Sequence, residues 1–280
     1  MIIWLASYPK SGNTLVRSRL SAYFFSKSGE FNFDLLKNIK QFPNFGLSKN
    51  LGVDISDNLE VIKNYIYVQE ELNKRDGNSI RFLKTHSTLN SINGYQFTNL
   101  KNSLGVVYII RDPKKVVLSN ANHMNITPEE SLNQLLELTK LGGKKDFYKR
   151  PETHIGTWAS NYQSWKEFNK FGKYLLIKYE DLISKPERTL MLMLEFVHKL
   201  TKTKFILDKI KFKKVLETTS FEYMKNLEKK TFFSEAVKDS KGEYRTFFKY
   251  GKKNIGDLSI DMRTKLEKNF RAELKELGYI

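Results

Sequence analysis

The feature that most constrains the fold is an alternation between short apolar runs and segments with helical periodicity. Strand-length runs rich in Ile, Val, Leu and Tyr are predicted at Ile2–Ser7, 80–84, 106–110 and 174–179. Apolar spacing and helix-start signals predict helices at Asn13–Phe25, 56–74, 113–122, 127–140, 152–168, 187–200 and 259–277. Strands joined through helices form parallel sheets that are covered on both faces. We therefore predict an α/β fold with a central, mostly parallel sheet flanked by helices.

Length and composition limit the organisation of the chain and its partners. The 280 residues contain no internal repeat and no long linker, which predicts a single domain over 1–280. Lys and Arg number 48 against 31 Asp and Glu, and this net charge of +17 favours an anionic partner: nucleic acid, a membrane surface, phosphate or sulfate. The chain has no cysteine, which excludes a disulfide framework and a Cys nucleophile. No apolar run is long enough to span a membrane and no basic leader precedes the first strand, so we expect a cytoplasmic protein.

The first predicted strand leads into a loop with the composition of an anion-binding site. The loop and the start of the next helix read Tyr8-Pro9-Lys10-Ser11-Gly12-Asn13-Thr14. Amide groups and the dipole at a helix N-terminus attract anions, Gly12 permits close backbone approach, and Lys10 adds a positive charge. The segment is not a Walker A motif, because its lysine precedes the glycine. An ordinary turn is the simpler alternative, but the density of Lys, Ser, Asn and Thr favours an anion site.

A histidine follows the second predicted strand, in the segment Lys84-Thr85-His86-Ser87. Ligands of open parallel sheets lie at the carboxyl ends of the strands, where His86 could act as a general base near neutral pH. The other histidines, His123, His154 and His198, have no such context. No pair of histidines has metal-ligand spacing, so we predict no metal site.

Basic and hydroxyl side chains follow the third predicted strand, in the segment that runs from Arg111-Asp112-Pro113 to Ser119. Ser119 lies eight residues after Arg111, about two helical turns later. Both can face one phosphate group only if the helix packs back toward the end of the strand. A surface turn followed by a helix is the alternative for this segment taken alone.

Together these segments resemble the sulfotransferases that use 3′-phosphoadenosine-5′-phosphosulfate (PAPS), of the cytosolic type. The first loop is similar to that family's 5′-phosphosulfate loop, the segment from Arg111 to Ser119 to its 3′-phosphate motif, and Lys84-Thr85-His86 to the segment with its catalytic histidine. Two further segments match motifs of that family in order and approximate separation: Tyr179-Glu180-Asp181-Leu182 and Thr219-Ser220-Phe221. The resemblance extends from Ile3 to about Asp257 and implies a P-loop-like sulfotransferase fold.

The resemblance implies a role for each matching residue. Lys10 would stabilise the leaving phosphate, His86 would deprotonate the acceptor hydroxyl, and Lys84 would support the transferred sulfuryl group. The donor-binding residues would be Ser11, Gly12, Asn13 and Thr14 at the 5′-phosphate, Arg111 and Ser119 at the 3′-phosphate, and Tyr179, Thr219 and Phe221 at the adenosine. The resemblance also implies that the reaction requires no metal.

Two departures from the family pattern affect the donor site. Leu15 stands where many members carry a Trp against the adenine, so it would supply an apolar wall without aromatic stacking. Near the C-terminus, Lys249-Tyr250-Gly251 replaces the usual Arg-Lys-Gly. The second 3′-phosphate contact would then come from Lys249, Lys252 or Arg245, together with the amide of Gly251.

The predicted function is transfer of a sulfuryl group from PAPS to a hydroxyl or amine of a small molecule or glycan. Three alternatives remain open. A P-loop-type NTP-dependent kinase is disfavoured by the order of Lys10 and Gly12 and by the lack of an acidic Mg²⁺ partner other than Asp112. A basic nucleic-acid-binding protein is suggested by the lysines of 199–214, although a solvated lysine face is the commoner explanation. The third alternative is a donor-binding protein without activity.

The acceptor site is expected in three connecting segments, 31–57, 141–152 and 227–241. Their aromatic residues would either form an apolar wall for the acceptor or anchor the loops: Phe45, Phe147, Tyr148, Phe232 and Phe233. A separate stripe formed by Trp158, Tyr162 and Trp165 is predicted to pack in the core. Nothing in the sequence predicts the oligomeric state.

Overall fold

A parallel sheet of five strands forms the centre of the computed structural model, which describes residues 1–77, 79–141, 151–233, 235–236, 242, 244–248 and 256–280. The strands are β1 Ile2–Ser7, β2 Lys40–Gln41, β3 Arg81–Thr85, β4 Ser103–Ile110, β5 Thr139–Leu141, β6 Thr153–Gly156 and β7 Tyr174–Lys178. The sheet order is β2-β3-β1-β4-β7, with every neighbouring pair parallel. β5 and β6 form a separate antiparallel ribbon. The prediction of a central parallel sheet is confirmed.

Helices connect the strands and cover the sheet. Within the described residues the α-helices are α1 Asn13–Phe25, α2 Phe45–Lys49, α3 Asn58–Lys63, α4 Tyr65–Asp76, α5 Pro113–Met124, α6 Pro128–Leu136, α7 Trp158–Lys166, α8 Tyr179–Ser184, α9 Pro186–Thr201, α10 Lys209–Thr218, α11 Phe221–Lys230 and α12 Ile260–Glu276. Two 3₁₀ helices span Phe33–Asn38 and Glu167–Phe171. α6 begins with a capping box, in which Thr127 Oγ1 accepts from the Glu130 amide at 3.1 Å and Glu130 Oε2 accepts from the Thr127 amide at 2.8 Å.

β1 buries side chains on both faces, which is why its sequence is apolar without alternation. Trp4 belongs to the core on one face, where its ring centroid lies 6.0 Å from that of Trp165. Leu5 belongs to the core on the other face, with residues of α1 and α9. Trp158, Tyr162 and Trp165 are all buried, as predicted. The sheet therefore lies between two apolar layers, and its strand ends are left for polar residues.

The segment predicted as one helix over 56–74 is two helices, α3 and α4, which break at Asn64. The amide nitrogen of the Asn64 side chain donates to the carbonyl oxygen of Glu60 at 2.8 Å, and the Asn64 backbone leaves the helical region. The backbone amide of Asn64 also donates to the Glu60 carbonyl oxygen, at 3.2 Å, so the side chain adds a second donor there. Local side-chain bonds of this kind compete with regular helix formation. The prediction of a continuous helix was wrong at this residue.

The segment predicted as a helix over 152–168 begins instead with β6. Gly156 has a φ of 65°, in the left-handed region, and Thr157 caps α7 by accepting from the Ser160 amide at 3.0 Å. The predicted helix 127–140 likewise ends at Leu136, and β5 follows and pairs with β6. The segment predicted as a connection over 31–57 contains a 3₁₀ helix, β2 and α2. Within the segment 141–152, which was expected to help form the acceptor site, residues 142–150 lie outside the described residues.

Candidate active site

A cavity of about 700 Å³ lies at the carboxyl ends of β1, β3 and β4. It brings together most of the residues that the sequence analysis selected: Lys10, Gly12, Asn13, Thr14, Leu15, Lys84, His86, Arg111, Ser119, Tyr179, Thr219 and Phe221. These residues come from five separate segments of the chain, 10–15, 84–86, 111–119, 179 and 219–221. Their convergence follows from the parallel order of the strands, because every strand then presents its carboxyl end at the same edge.

The loop between β1 and α1 has an unusual backbone. Lys10 has a φ of 64°, in the left-handed region, which costs a residue other than glycine about 1–3 kcal/mol. Gly12 has a φ of 103°, and a Cβ there would lie 2.5 Å from Cδ2 of Tyr179. Gly12 is also the N-cap of α1 and has no side chain to bond the first amides of the helix. Those amides therefore face the cavity as donors for an anion.

Ser11 and Asn13 shape this loop from inside the protein. Ser11 is fully buried, and its hydroxyl has no hydrogen-bond partner within the described residues. The Asn13 side chain donates to the Leu5 carbonyl oxygen at 2.9 Å and to Ser7 Oγ at 3.2 Å, so it ties the loop to β1. The backbone of Asn13, rather than its amide side chain, is the part available to an anion.

His86 is held beside the end of β1 by the register of the sheet. Ala6 of β1 pairs with Thr85 of β3, so the next residues, Ser7 and His86, are also neighbours. His86 Nδ1 lies 2.8 Å from the Ser7 carbonyl oxygen, which can only accept, so Nδ1 carries the proton and Nε2 carries the lone pair. Burial, and next the positive charge of Lys84, lower the pKa of His86 to about 3. The ring is therefore neutral at physiological pH, with its basic nitrogen on the side away from Ser7.

The backbone of His86 is fixed by α7. Asn161, a fully buried residue of that helix, donates to the His86 carbonyl oxygen at 2.9 Å and to the Ile155 carbonyl oxygen at 2.8 Å. Asn161 Oδ1 accepts from the Tyr108 hydroxyl at 2.8 Å. These bonds connect β4, α7 and the end of β3, so His86 is positioned by the core rather than by a loop.

Two lysines line the same cavity as His86. Lys84 is 9% exposed and stands two residues before His86. Lys10 lies over the Phe247 ring, with Nζ 4.6 Å from the ring centroid. Burial lowers the pKa of Lys10 to about 7; Lys84 and Arg111 act in the same direction, whereas Glu235 opposes them. The pKa of Lys10 thus lies within the range where binding of an anion changes its protonation.

Arg111 and Ser119 line the same cavity, as α5 packs back toward the end of β4. Arg111 Nη1 donates to the Lys10 carbonyl oxygen at 3.2 Å, and its guanidinium lies 4.1 Å from the centroid of the Tyr179 ring. Arg111 Nε is buried and has no partner within the described residues. Asp112, the acidic residue considered for Mg²⁺, caps α5 by accepting from the Lys114 amide at 2.9 Å.

The cavity continues between α1, α8 and the α10–α11 junction. Leu15 and Phe221 line it, and Thr219 is buried there with its hydroxyl donating to the Val215 carbonyl oxygen at 2.7 Å. Lys249, Gly251 and Lys252 lie outside the described residues. Arg245, the remaining candidate for a second 3′-phosphate contact, donates to the Asn122 carbonyl oxygen at 2.9 Å.

Sequence reasoning missed several polar residues of the cavity region, among them Arg17, Glu235 and His123. Arg17 is buried in α1, where its Nη2 donates to the carbonyl oxygens of Leu36 and Ile39 at 3.1 and 2.9 Å. Glu235 lines the cavity and forms an ion pair with Arg17. His123, which was expected to have no functional context, also lines the cavity. A signal for Arg17 did exist, because an arginine in a helix without a polar face needs a buried partner.

Gln41, Leu141 and Thr153 also line the cavity, and Gln41 of β2 pairs with Lys84 of β3. Of the aromatic residues considered for an acceptor wall, Phe45 and Phe233 are buried in the core and therefore anchor their segments. Phe232 is 63% exposed and does not line the cavity. Phe147 and Tyr148 lie outside the described residues.

The described residues lack both a metal-binding cluster and a membrane-spanning helix. They contain no group of three or more His, Asp or Glu side chains arranged to hold a metal ion. They also contain no helix that combines the length and the apolar character needed to cross a bilayer.

A parallel sheet with a glycine-containing anion loop after β1 and a neutral histidine after β3 defines a P-loop-like α/β protein. The model of the sulfotransferase domain family matches residues 2–278, so the chain belongs to the sulfotransferase family. The luciferin sulfotransferase of Photinus pyralis is 23% identical over 284 residues, which cover 98% of this chain and 67% of that protein.

Solved structures share this fold at low sequence identity. The mouse sulfotransferase SULT7A1, complexed with PAP, is 17% identical, with a TM-score of 0.57 over 98% of this chain and 84% of that chain. Retinol dehydratase, in complex with androsterone and the inactive cofactor PAP, is also 17% identical, with a TM-score of 0.62 over 98% of this chain and 80% of that chain. These likenesses support the P-loop-like fold.

Proposed function

We propose that the protein transfers a sulfuryl group from PAPS to a hydroxyl or amine, with His86 as the general base. The observation that carries the proposal is the protonation state of His86: Nδ1 donates to the Ser7 carbonyl oxygen, which leaves Nε2 as a base in the cavity of Lys10 and Lys84. Family membership supports sulfuryl transfer in general. The PAP in the complexes of related folds supports PAPS as the donor.

The chemistry of the cavity fits a donor with two anionic groups. The uncapped start of α1 and Thr14 suit the 5′-phosphosulfate. Arg111, with its unpaired Nε, and Ser119 suit the 3′-phosphate, and both line the same cavity. The apolar residues Leu15 and Phe221, with Tyr179, suit the adenine between them.

In the proposed reaction the protein moves one proton and stabilises one developing charge. PAPS supplies a sulfuryl group attached to a good leaving group, the 5′-phosphate. The acceptor oxygen forms a bond to sulfur as the bond from sulfur to the phosphate oxygen breaks, and the acceptor proton goes to His86 Nε2. Lys10 and Lys84 oppose the negative charge that the leaving phosphate acquires, so the protein contributes by positioning and electrostatics.

The acceptor is proposed to enter beside His86, between Gln41, Leu141 and Thr153. This part of the cavity combines apolar and hydrogen-bonding side chains, which suits a hydroxyl or amine group on a small molecule or glycan. A transfer screen with labelled PAPS over phenols, alcohols, amines and glycans will identify the class.

Substitution of His86 tests the assignment of the base. A positioned general base contributes about 10²–10⁴-fold to a rate, so we expect His86→Ala to lower kcat by this factor and to leave the Kd for PAP unchanged. Turnover of the best acceptor and calorimetric titration with PAP measure the two quantities. His198→Ala is the matched control, because His198 is a surface histidine bonded to Thr203 and does not line the cavity. Full activity of His86→Ala with every acceptor would contradict the assignment.

A further inference from the structure

The cradle for the donor's 5′-phosphosulfate already holds a carboxylate of the protein. Glu235 Oε2 accepts from Thr14 Oγ1 at 2.9 Å, and Oε1 contacts Arg17 Nη1 and lies 3.4 Å from Lys84 Nζ. Glu235 lies more than 200 residues away from Thr14 in the sequence. Its carboxylate is thus brought to the start of α1 by the tertiary fold, and not by local geometry.

This carboxylate is ionised and faces a concentration of positive charge. Burial alone would raise the pKa of Glu235, but Lys84, Arg17 and the Thr14 hydroxyl together hold it well below its usual range. The negative charge of Glu235 also raises the pKa of Lys10. Arg17 and Lys84 are 6% and 9% exposed, and the Glu235 carboxylate offsets part of their buried positive charge.

An anionic donor needs the same groups that Glu235 uses. Phosphate and sulfate oxygens, like carboxylate oxygens, can only accept hydrogen bonds, and they bind the same N–H and O–H donors. Two anions that share the Thr14 hydroxyl and the Lys84 ammonium would also repel each other at close range. Glu235 and the phosphosulfate group therefore exclude each other from the cradle.

We propose that Glu235 is a built-in competitor for the donor: its carboxylate neutralises the cradle in the donor-free protein and leaves it when the phosphosulfate binds. This inference rests on the proposed use of PAPS. The consequence is a lower donor affinity, because the apparent Kd equals the intrinsic Kd divided by the fraction of protein whose cradle is free. The competitor keeps buried cations paired while no donor is present.

The alternative is that Glu235 only supports Arg17 and remains in place when the donor binds. The two roles of Glu235 can be distinguished by a variant without the carboxylate, because the carbonyl oxygens of Leu36 and Ile39 hold Arg17 independently of Glu235. A neutral residue at 235 should thus leave Arg17 in its place. Under the proposal, removal of the Glu235 carboxylate tightens donor binding. Under the alternative, its removal weakens donor binding or has no effect.

Calorimetric titration of PAP into Glu235→Gln, Glu235→Ala and the wild type tests the proposal. We expect both variants to bind PAP about tenfold more tightly than the wild type, and to have a lower Tm without ligand. Glu167→Gln is the control, because it removes the same charge from an exposed pair with Lys170. Unchanged or weaker PAP binding by the folded variants would overturn the proposal.

A second ligand separates this proposal from the proposed function. Inorganic pyrophosphate tests the cradle alone, without the nucleoside. Tighter pyrophosphate binding by Glu235→Gln than by the wild type, with no PAP binding by either, would refute PAPS as the donor and retain Glu235 as a competitor. Equal affinity of the two proteins for PAP would retain the donor and refute the competitor.

Carboxyl labelling of the wild type gives a test that needs no variant to fold. A carbodiimide with an amine reagent modifies accessible carboxylates, and mass spectrometry reports the modified residue. We expect saturating PAP to increase labelling at Glu235 several-fold while labelling at Glu167 stays constant. Unchanged or reduced labelling at Glu235 would show that the carboxylate stays in the cradle, and would overturn the proposal.

Discussion

At the scale of single residues, the chemistry of this site is set by neighbours rather than by residue type. A surface histidine is partly protonated near neutral pH, but His86 is neutral because it is buried beside Lys84 and donates to the Ser7 carbonyl oxygen. A surface lysine is always charged at that pH, but burial brings the pKa of Lys10 to about 7. The first shift keeps Nε2 of His86 unprotonated, and the second brings the pKa of Lys10 into the range where a bound anion changes its protonation.

The pKa of Lys10 predicts a pH dependence of donor binding. Phosphate groups next to Lys10 favour its charged form and raise its pKa, so above pH 7 the donor binds with uptake of a proton. We therefore expect the Kd for PAP to rise with pH from 7 to 9, by at most about tenfold per unit. Calorimetry in buffers of different ionisation enthalpy measures both the Kd and the proton uptake.

Two substitutions at position 10 serve as controls for this dependence. Lys10→Met should weaken PAP binding, lower turnover and abolish the pH dependence, because no titrating group remains. Lys10→Arg keeps its charge up to pH 9 and should flatten the profile. A slope that persists in Lys10→Met would assign the titration to another group.

At the scale of secondary-structure elements, β4 and α9 touch at a glycine. A Cβ on Gly105 would lie 2.6 Å from Leu200 Cδ1 and 3.0 Å from the Lys173 carbonyl oxygen. Glycine in the interior of a strand is costly in itself, and it is used where another group approaches closely. The absence of a side chain at 105 thus lets the end of α9 pack against the sheet.

Gly105→Ala should lower the free energy of unfolding by about 1–3 kcal/mol, because the new methyl group overfills this contact. Urea denaturation measures the change. In a Leu200→Ala background the cost should shrink, since the closest atoms are then missing, although the Lys173 carbonyl oxygen remains. Leu192→Ala is the control background, because Leu192 is an exposed residue of α9. Equal costs of Gly105→Ala in all three backgrounds would contradict the assigned contact.

Prediction from sequence succeeded for elements that local patterns define. The bounds of β1 and α1 were predicted correctly, because an apolar run and a helix start are encoded in adjacent residues. The ribbon of β5 and β6 was missed because its stability comes from pairing between separate segments. The break at Asn64 was missed because apolar periodicity continues across it, although its side chain ends α3.

At the scale of the whole molecule, the site is an assembly of distant segments. Sequence motifs indicated Lys10, His86 and Arg111, since His86 and Arg111 directly follow strands of the parallel sheet and Lys10 lies in the loop after β1. They could not indicate that Glu235 meets Arg17, because 218 residues separate the two and no local pattern encodes their contact. Long-range contacts of this kind decide which cations in the cavity are already paired.

At this scale, the basic residues behind the net charge of +17 also fall into separate groups. Lys10, Lys84, Arg17 and Arg111 belong to the cavity region. The lysines of 199–214 contribute nothing to the cavity lining and lie on half-buried or exposed surface of α9, α10 and their connection. Lys209, Lys213 and Lys214 line a separate, open surface pocket together with Glu217. The exposure of most of these lysines favours a solvated lysine face over a nucleic-acid site.

Because the site connects β1, β3, α5, α8 and the α10–α11 junction, a bound donor should stabilise the whole fold. A ligand at 100 times its Kd raises the free energy of unfolding by about 2.7 kcal/mol when it binds only the native state. We expect PAP without added metal to produce this increase in urea denaturation, and ATP with Mg²⁺ at the same concentration to produce less. His86→Ala should gain as much from PAP as the wild type, because His86 is assigned to the acceptor. Stabilisation by ATP with Mg²⁺ but not by PAP would favour an NTP-dependent enzyme over a PAPS-dependent one.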